Sequence, residues 1–296
     1  MAGCRENRYI LWHMSTSQWK ILLLTFLSTP AVVTAGFCAT GREIRFEHLG
    51  VERGLSDISV YGIHQDIRGF MWFGTVNGLN RYDGYHFNVY RHTPLDSQSI
   101  SHNNVPWIFE DRTGTLWIRG PAGANLNRFD RTTERFTPCL PNTEVSSIYE
   151  DTYGTLWFPT RAGGLFRYNK ATAAFVHYSL TNDTLTSICG NPVDNDRTLF
   201  VGTAHGVVAF DQREGNWARL QGGPSGAVTA MLGDRTGIVW IGTREGLYSF
   251  NCTTKMDSHY RFGGELARNT GGHDLQLLYQ DSEGLLWIGI AESGIV

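Results

Sequence analysis

The feature that most constrains this chain is a blurred sequence that returns six times. An aromatic residue stands at Trp72, Trp117, Trp157, Phe200, Trp240 and Trp287, at intervals of about 40 to 47 residues. Six positions upstream of each lies an aspartate: Asp66, Asp111, Asp151, Asp194, Asp234 and Asp281. Five copies carry a glycine three residues after that aspartate (Gly69, Gly114, Gly154, Gly237 and Gly284). Apolar anchors precede it at Val60, Val105, Val145, Ile188, Val228 and Leu275. A unit this short cannot bury its own apolar face, so the copies must pack on one another.

The first copy shows what one unit is. "SVYGIHQ" reads as a strand and "DIRG" as a tight turn, with Asp66 capping and Gly69 taking a positive φ. "FMWFGT" is a second strand in which Trp72 and Gly74 share a face. "VNG" turns the chain again, and "LNRYD" and "HFNVYRH" follow as two more strands. No helical period competes with this pattern. The expectation is an all-β fold, a β-propeller of four-stranded antiparallel blades, with Trp72 wedged between neighbouring blades. Five blades are full and the sixth incomplete, because "WIGIAESGIV" stops inside the last copy. An open ring exposes sheet faces and an edge strand, so self-association is expected.

Composition agrees with many short strands: 34 glycines serve turns, and 12% aromatic residues fill sheet faces. A net charge of −3 gives no case for nucleic acid or a polybasic membrane contact. At the N-terminus, Lys20 precedes the apolar run Ile21–Leu27 and a small-residue site at Val33-Thr34-Ala35. That layout predicts a cleavable export signal and a periplasmic or extracytoplasmic location, with residues 1–41 as signal and flanking segment and 42–296 as repeats. The alternative is a signal anchor, since no charge falls between Lys20 and Arg42. Cys4, Cys38, Cys139, Cys189 and Cys252 lie far apart without a CxxC pair. Zinc is therefore not expected; buried free thiols are, with a disulfide left open.

The run Gly54–His92 resembles the first repeat of the two-component regulator propeller family. "EDRTGTLWI" (Glu110–Ile118), "EDTYGTLWF" (Glu150–Phe158), "GDRTGIVWIGTREGL" (Gly233–Leu247) and "QDSEGLLWIGI" (Gln280–Ile290) match its signature. The resemblance runs from Arg42 to Val296 and implies the extracytoplasmic sensor region of a bacterial hybrid sensor histidine kinase or a related receptor. It also implies paired seven-bladed rings, an immunoglobulin-like module, a membrane helix and cytoplasmic output domains. None of these follows the sixth copy, so the chain reads as an N-terminal fragment that meets the membrane only through a missing downstream part. Departures stand out at Arg119 and Pro159, which replace the glycine two after tryptophan, and at "DNDRTLF", which lacks the turn glycine.

No nucleophile elbow, zinc-protease helix, phosphate-cradling loop or dinucleotide fingerprint occurs, so no catalytic residue, metal ligand or cofactor is assigned. Asp66, Asp111, Asp151, Asp234 and Asp281, with Trp72, Trp117, Trp157, Trp240 and Trp287, are read as structural. The alternatives are a secreted propeller enzyme of lyase or glycosidase type and a protein-interaction scaffold. In a four-stranded blade, the connection between second and third strands shares one rim with the connection between blades. That rim carries the candidate ligand-binding residues Asn77, His102, Asn104, Arg161, His205 and Arg244. The resemblance implies a small polar ligand there, such as a glycan.

Overall fold

The computed structural model describes residues 47–121, 124–180, 183–260, 275–290 and 294–295. The export segment, Cys4 and Cys38 lie outside the described residues. Five four-stranded antiparallel sheets and one three-stranded sheet follow one another, and in each the spatial order equals the chain order. They are the blades of a β-propeller. Blade I consists of β1 (Val60–Gln65), β2 (Met71–Thr75), β3 (Gly78–Tyr82) and β4 (Phe87–Tyr90). Blades II to V begin at Trp107, Tyr149, Leu185 and Val228, and blade VI at Leu275. First strands of successive blades approach one another at the I–II, IV–V and V–VI junctions, so they form the inner edge from which the blades fan out.

The repeated aspartate and tryptophan are joined by a hydrogen bond, which explains their spacing. Trp72 Nε1 donates to Asp66 Oδ2 at 2.7 Å, and the pairs Trp117–Asp111, Trp157–Asp151, Trp240–Asp234 and Trp287–Asp281 repeat it at 3.2, 2.9, 3.0 and 3.0 Å. The other carboxylate oxygen caps the turn. Asp66 Oδ1 accepts the backbone N–H of Arg68 and Phe70 at 2.9 and 3.0 Å, while Gly69 supplies the positive φ of 88° that closes it.

Of the repeated tryptophans, Trp72, Trp117, Trp157 and Trp240 pack on the following blade. Trp72, Trp117 and Trp157 are fully buried, and Trp72 meets Phe129 of blade II edge-on at 5.3 Å. The following blade also answers the aspartate. Arg131 of blade II bridges Asp66 and Glu110, both at 2.6 Å, and His64 meets Glu110 at 3.0 Å. Lys170 of blade III approaches Asp111 at 3.6 Å, and Gln212 of blade IV donates to Asp151 at 3.2 Å.

Three expectations change. In blade IV, Leu185 pairs with Thr203 as Val60 pairs with Thr75, so Leu185 rather than Ile188 is the anchor. Its turn closes from Asn191 N–H to Thr198 O, where blade I closes from Asp66 to Phe70. Asn191 therefore opens a longer turn, Asp194 still accepts the Thr198 N–H at 3.3 Å as the other aspartates do four residues on, and Asn195 and Asp196 (φ 54° and 62°) supply the positive φ. The Phe200 ring carries no N–H, so this copy needs no side-chain acceptor in the place of the indole's. At the end of the array, Trp287 keeps its aspartate bond yet stays 45% exposed, because among the described residues no blade packs on it. Cys189 and Cys252 are buried free thiols, but Cys139 is only half-buried.

Candidate functional site

The two rims of the blades use their polar groups differently. On the aspartate rim, carboxylates, backbone N–H groups and indoles satisfy one another. On the opposite rim the second strand of blades I, III, IV and V ends in Thr75, Thr160, Thr203 and Thr243. These threonines shape the following turn. Thr75 and Thr243 donate to the carbonyls of Gly78 and Gly246, and their oxygens accept the N–H of Asn77 and Glu245 at 3.1 Å. Thr203 accepts the N–H of His205 at 3.0 Å. The turn thus holds its own polar middle residues out from the sheet.

The predicted residues occupy this rim but do not meet at one point. Asn104 and Arg161 share a cavity of about 480 Å³ between blades II and III, lined also by Tyr61, Arg119 and Glu144. His205 lies in a second cavity of about 500 Å³. Its ring meets Asp183 at 3.1 Å. Burial would raise the Asp183 pKa, but hydrogen bonds from Thr203 and His205 outweigh it and hold the carboxyl below its usual range. Asn77 and Arg244 are exposed in the turns of blades I and V. His102 is exposed and accepts the Asn104 N–H at 3.0 Å. The loop carrying both is pinned by Ser101, whose N–H and hydroxyl reach Asn127 Oδ1 at 3.1 and 2.7 Å.

Sequence reasoning missed Arg119 as a site residue. Its place in the repeat, two after tryptophan, is where the next blade's first strand crosses. A Cβ at Gly74 would fall 2.3 Å from Val105 O, and one at Gly202 would fall 2.6 Å from Val228 Cγ1. Blade III begins as a regular strand only at Tyr149, with Val145 an isolated bridge to Thr160, and Pro159 on the facing strand has no N–H to extend the ladder. The guanidinium fills the gap, donating from Nη1 to the carbonyls of Val145 and Ser146 at 3.2 and 2.7 Å and lying 5.8 Å from the Trp107 ring. Burial holds its pKa below the ordinary arginine value; Glu144 opposes this and Arg161 adds to it. The signal was the broken glycine pattern itself.

Among the described residues, the buried side-chain oxygens and nitrogens without a partner are Asn104 Oδ1, Arg119 Nε, Ser147 Oγ, Thr186 Oγ1, Ser187 Oγ and Thr229 Oγ1. All lie near the start of a first strand or, for Arg119, opposite one. Thr186 and Thr229 sit at bulges, where the register shifts between Leu185 and Ser187 and between Val228 and Ala230. Bulges of this kind re-aim side chains at sheet rims. An unpaired buried polar group costs about 1–3 kcal/mol, so the bonding at this rim is less complete within the protein than at the aspartate turns.

Comparison with known proteins agrees with this anatomy. The family model described as two component regulator propeller matches residues 54–77, 99–121, 139–158 and 222–245. Those four segments are two-component regulator propeller repeats. Matched segments fall in blades I, II, III and V; blade IV, with its longer turn and Phe200, lies between them. Histidine kinase P4 of Formosa agariphila is 54% identical over 48 residues, which is 16% of this chain and 4% of that protein. The extracellular domain of a putative hybrid two component system from B. thetaiotaomicron is 26% identical with a TM-score of 0.67, covering 84% of this chain and 34% of that one. Virginiamycin B lyase from Staphylococcus aureus shares the fold at 14% identity and a TM-score of 0.61, covering 80% of this chain and 78% of that one. The chain thus spans about a third of the length of that solved extracellular domain. Among the described residues no helix is long and apolar enough to cross a membrane.

Proposed function

We propose that this chain is an extracytoplasmic sensor region of a two-component receptor, and that it binds a small polar ligand on the rim opposite the aspartate turns without converting it. The observation that carries this reading is the pair of cavities of about 480 and 500 Å³ that the rim residues Asn104, Arg161 and His205 line, on a scaffold with regulator propeller repeats. Similarity to extracellular domains of two-component systems supports the location, and the charged, apolar and small-residue layout of residues 20–35 supports export. Asn77, His102, Asn104, Arg161, His205 and Arg244 are the proposed contacts. Turns held by buried threonines present Asn77 and His205, which suits a face that must meet a ligand without repacking.

Ligand screening tests this directly. Thermal shift against a panel of oligosaccharides and small polar metabolites, followed by mass spectrometry of the recovered ligand, should find a stabilising compound that returns unchanged. Chemical conversion of that compound by the purified protein would instead favour a propeller enzyme.

A further inference from the structure

Three of the junctions between blades are tied by one position, the residue that follows the third strand. It reaches back to the aspartate of the preceding blade: Arg131 to Asp66 at 2.6 Å, Lys170 to Asp111 at 3.6 Å and Gln212 to Asp151 at 3.2 Å. Just before it, Asp130, Asn169 or Asp211 caps the turn by accepting two backbone N–H groups. Blade V keeps that cap, with Asn251 accepting the N–H of Thr253 and Thr254 at 2.9 Å, but the next residue is Cys252. A thiol cannot make the same polar tie to blade IV.

A second cysteine stands across this junction. Cys189 pairs with Phe200 as His64 pairs with Trp72, so it faces the following blade. Between blades I and II, His64 reaches Glu110 and Glu110 reaches Arg131. Between blades IV and V, Cys189 takes the place of His64 and Cys252 that of Arg131. Glu110 is replaced by Gly233, which pairs with the residue before Trp240 as Glu110 pairs with the residue before Trp117. Glycine puts no side chain between the thiols and lets the strands close up, so that a Cβ on Gly233 would fall 2.9 Å from the carbonyl oxygen of Gly190, next to Cys189. Both cysteines are buried in one apolar cluster with Phe200 and Phe250, whose rings meet edge-on at 5.9 Å.

We infer that Cys189 and Cys252 are a modification site, joined as a disulfide that ties blade IV to blade V when the chain folds in an oxidising compartment. The compartment rests on the extracytoplasmic reading above; the pairing rests on the junction alone. One protein thiolate attacks a small disulfide such as glutathione disulfide and releases one glutathione thiolate. The second protein thiolate then attacks the mixed disulfide and releases the other. Two S–H bonds are given up, one S–S bond forms within the protein, and the oxidant is reduced to two glutathiones. Burial pushes both thiols above the ordinary range, Cys252 to about 11, and shields them from an oxidant. Exchange therefore takes place before blade V packs on blade IV.

Refolding the 296-residue chain from urea with glutathione and its disulfide tests the pairing. Free thiols of the folded fraction are blocked with iodoacetamide, and the protein is digested with trypsin without reductant. Peptides 171–197 and 245–255 should be recovered joined, two hydrogen atoms lighter than their sum. Dithiothreitol should lower the wild-type urea midpoint by about 1 M, because the bond closes a loop of about 60 residues. It should leave the midpoint of Cys252→Ala unmoved. The wild-type comparison involves no substitution, so it stands even where Cys252→Ala lowers stability by itself. Both peptides recovered blocked and separate, or Cys189 joined to Cys139, Cys38 or Cys4, would overturn the pairing, as would a midpoint indifferent to reductant. The same digest of protein recovered from cells that express the chain tests the compartment. A pair that joins on refolding yet comes reduced from cells would leave the site assigned and overturn the extracytoplasmic reading.

Discussion

The two rims of this propeller are made by the same repeat, yet their polar groups meet opposite fates. Asp151 spends one oxygen on the N–H groups of Tyr153 and Thr155 and the other on the Trp157 indole and Gln212. A few residues away on the same blade, Ser147 Oγ has no partner at all, and across the blade II–III junction neither have Arg119 Nε and Asn104 Oδ1. Closed bonding ties a turn to its own strand and to the next blade; open bonding is tolerated where the surroundings can supply the missing partner. The recognisable motif and the proposed binding surface thus lie at opposite ends of the strands. The motif holds the blades together so that the other end can vary.

Substitutions on the aspartate side should act on stability. Trp157→Ala empties a fully buried site, and urea unfolding should show a loss of about 3–5 kcal/mol. The same change at Trp287, which has the same hydrogen bond but 45% exposure, should cost less than about 1 kcal/mol. Equal losses would mean that the local motif, not burial by the next blade, carries the energy. Asp151→Ala should follow at about 2–3 kcal/mol, because it strands the indole and two backbone N–H groups together.

Acid should weigh on the same rim through Asp66, Asp111 and Asp234, although Asp183 on the opposite rim is lowered too. Burial would raise the pKa of Asp66, Asp111 and Asp234, but hydrogen bonds outweigh it and the net shift is downward. The opposing partners are Arg131 and Trp72 for Asp66, Thr113, Thr115 and Trp117 for Asp111, and Ile238, Thr236 and Trp240 for Asp234. A carboxyl with a depressed folded-state pKa contributes stability that is complete above its unfolded value, about 3.9, and is lost as pH falls through the folded value. Urea midpoints should therefore hold down to about pH 5 and drop steeply below about pH 4, and Arg131→Met should soften the Asp66 share of that drop. A midpoint unchanged between pH 5 and pH 3 would break the distinction between the rims.

The smallest stability effects belong to the opposite rim. Arg161 is exposed and ion-paired with Glu144, and His205 with Asp183. Replacing either by alanine should move stability by less than about 0.5 kcal/mol while weakening ligand binding. A large stability loss would make these residues structural.

What can be read from the sequence follows the same division. The spacing of Asp66, Gly69 and Trp72 is local chemistry, a turn and an indole bond within one hairpin, and the residues alone spell out strand, turn and strand. The anchor in blade IV escapes such a reading because counting back from Phe200 assumes a turn of fixed length, whereas Asn191 opens a longer one. Arg119 is visible only as a broken pattern. Its meaning depends on Val145 and Ser146 of the next blade, and a contact across blades leaves no spacing to read. Likewise blade topology puts the rim residues on one side, but their division between two cavities depends on which neighbours each turn leans against.

Hydrogen–deuterium exchange of the 296-residue chain, with and without the best-binding compound from the screens above, tests most directly which rim is the binding face. Ligand should slow exchange in peptides covering residues 102–106, 119–121 and 144–147, and leave the aspartate turns at 66–70, 111–115 and 151–155 unchanged. Protection confined to those turns, with the opposite rim unaffected, would contradict it.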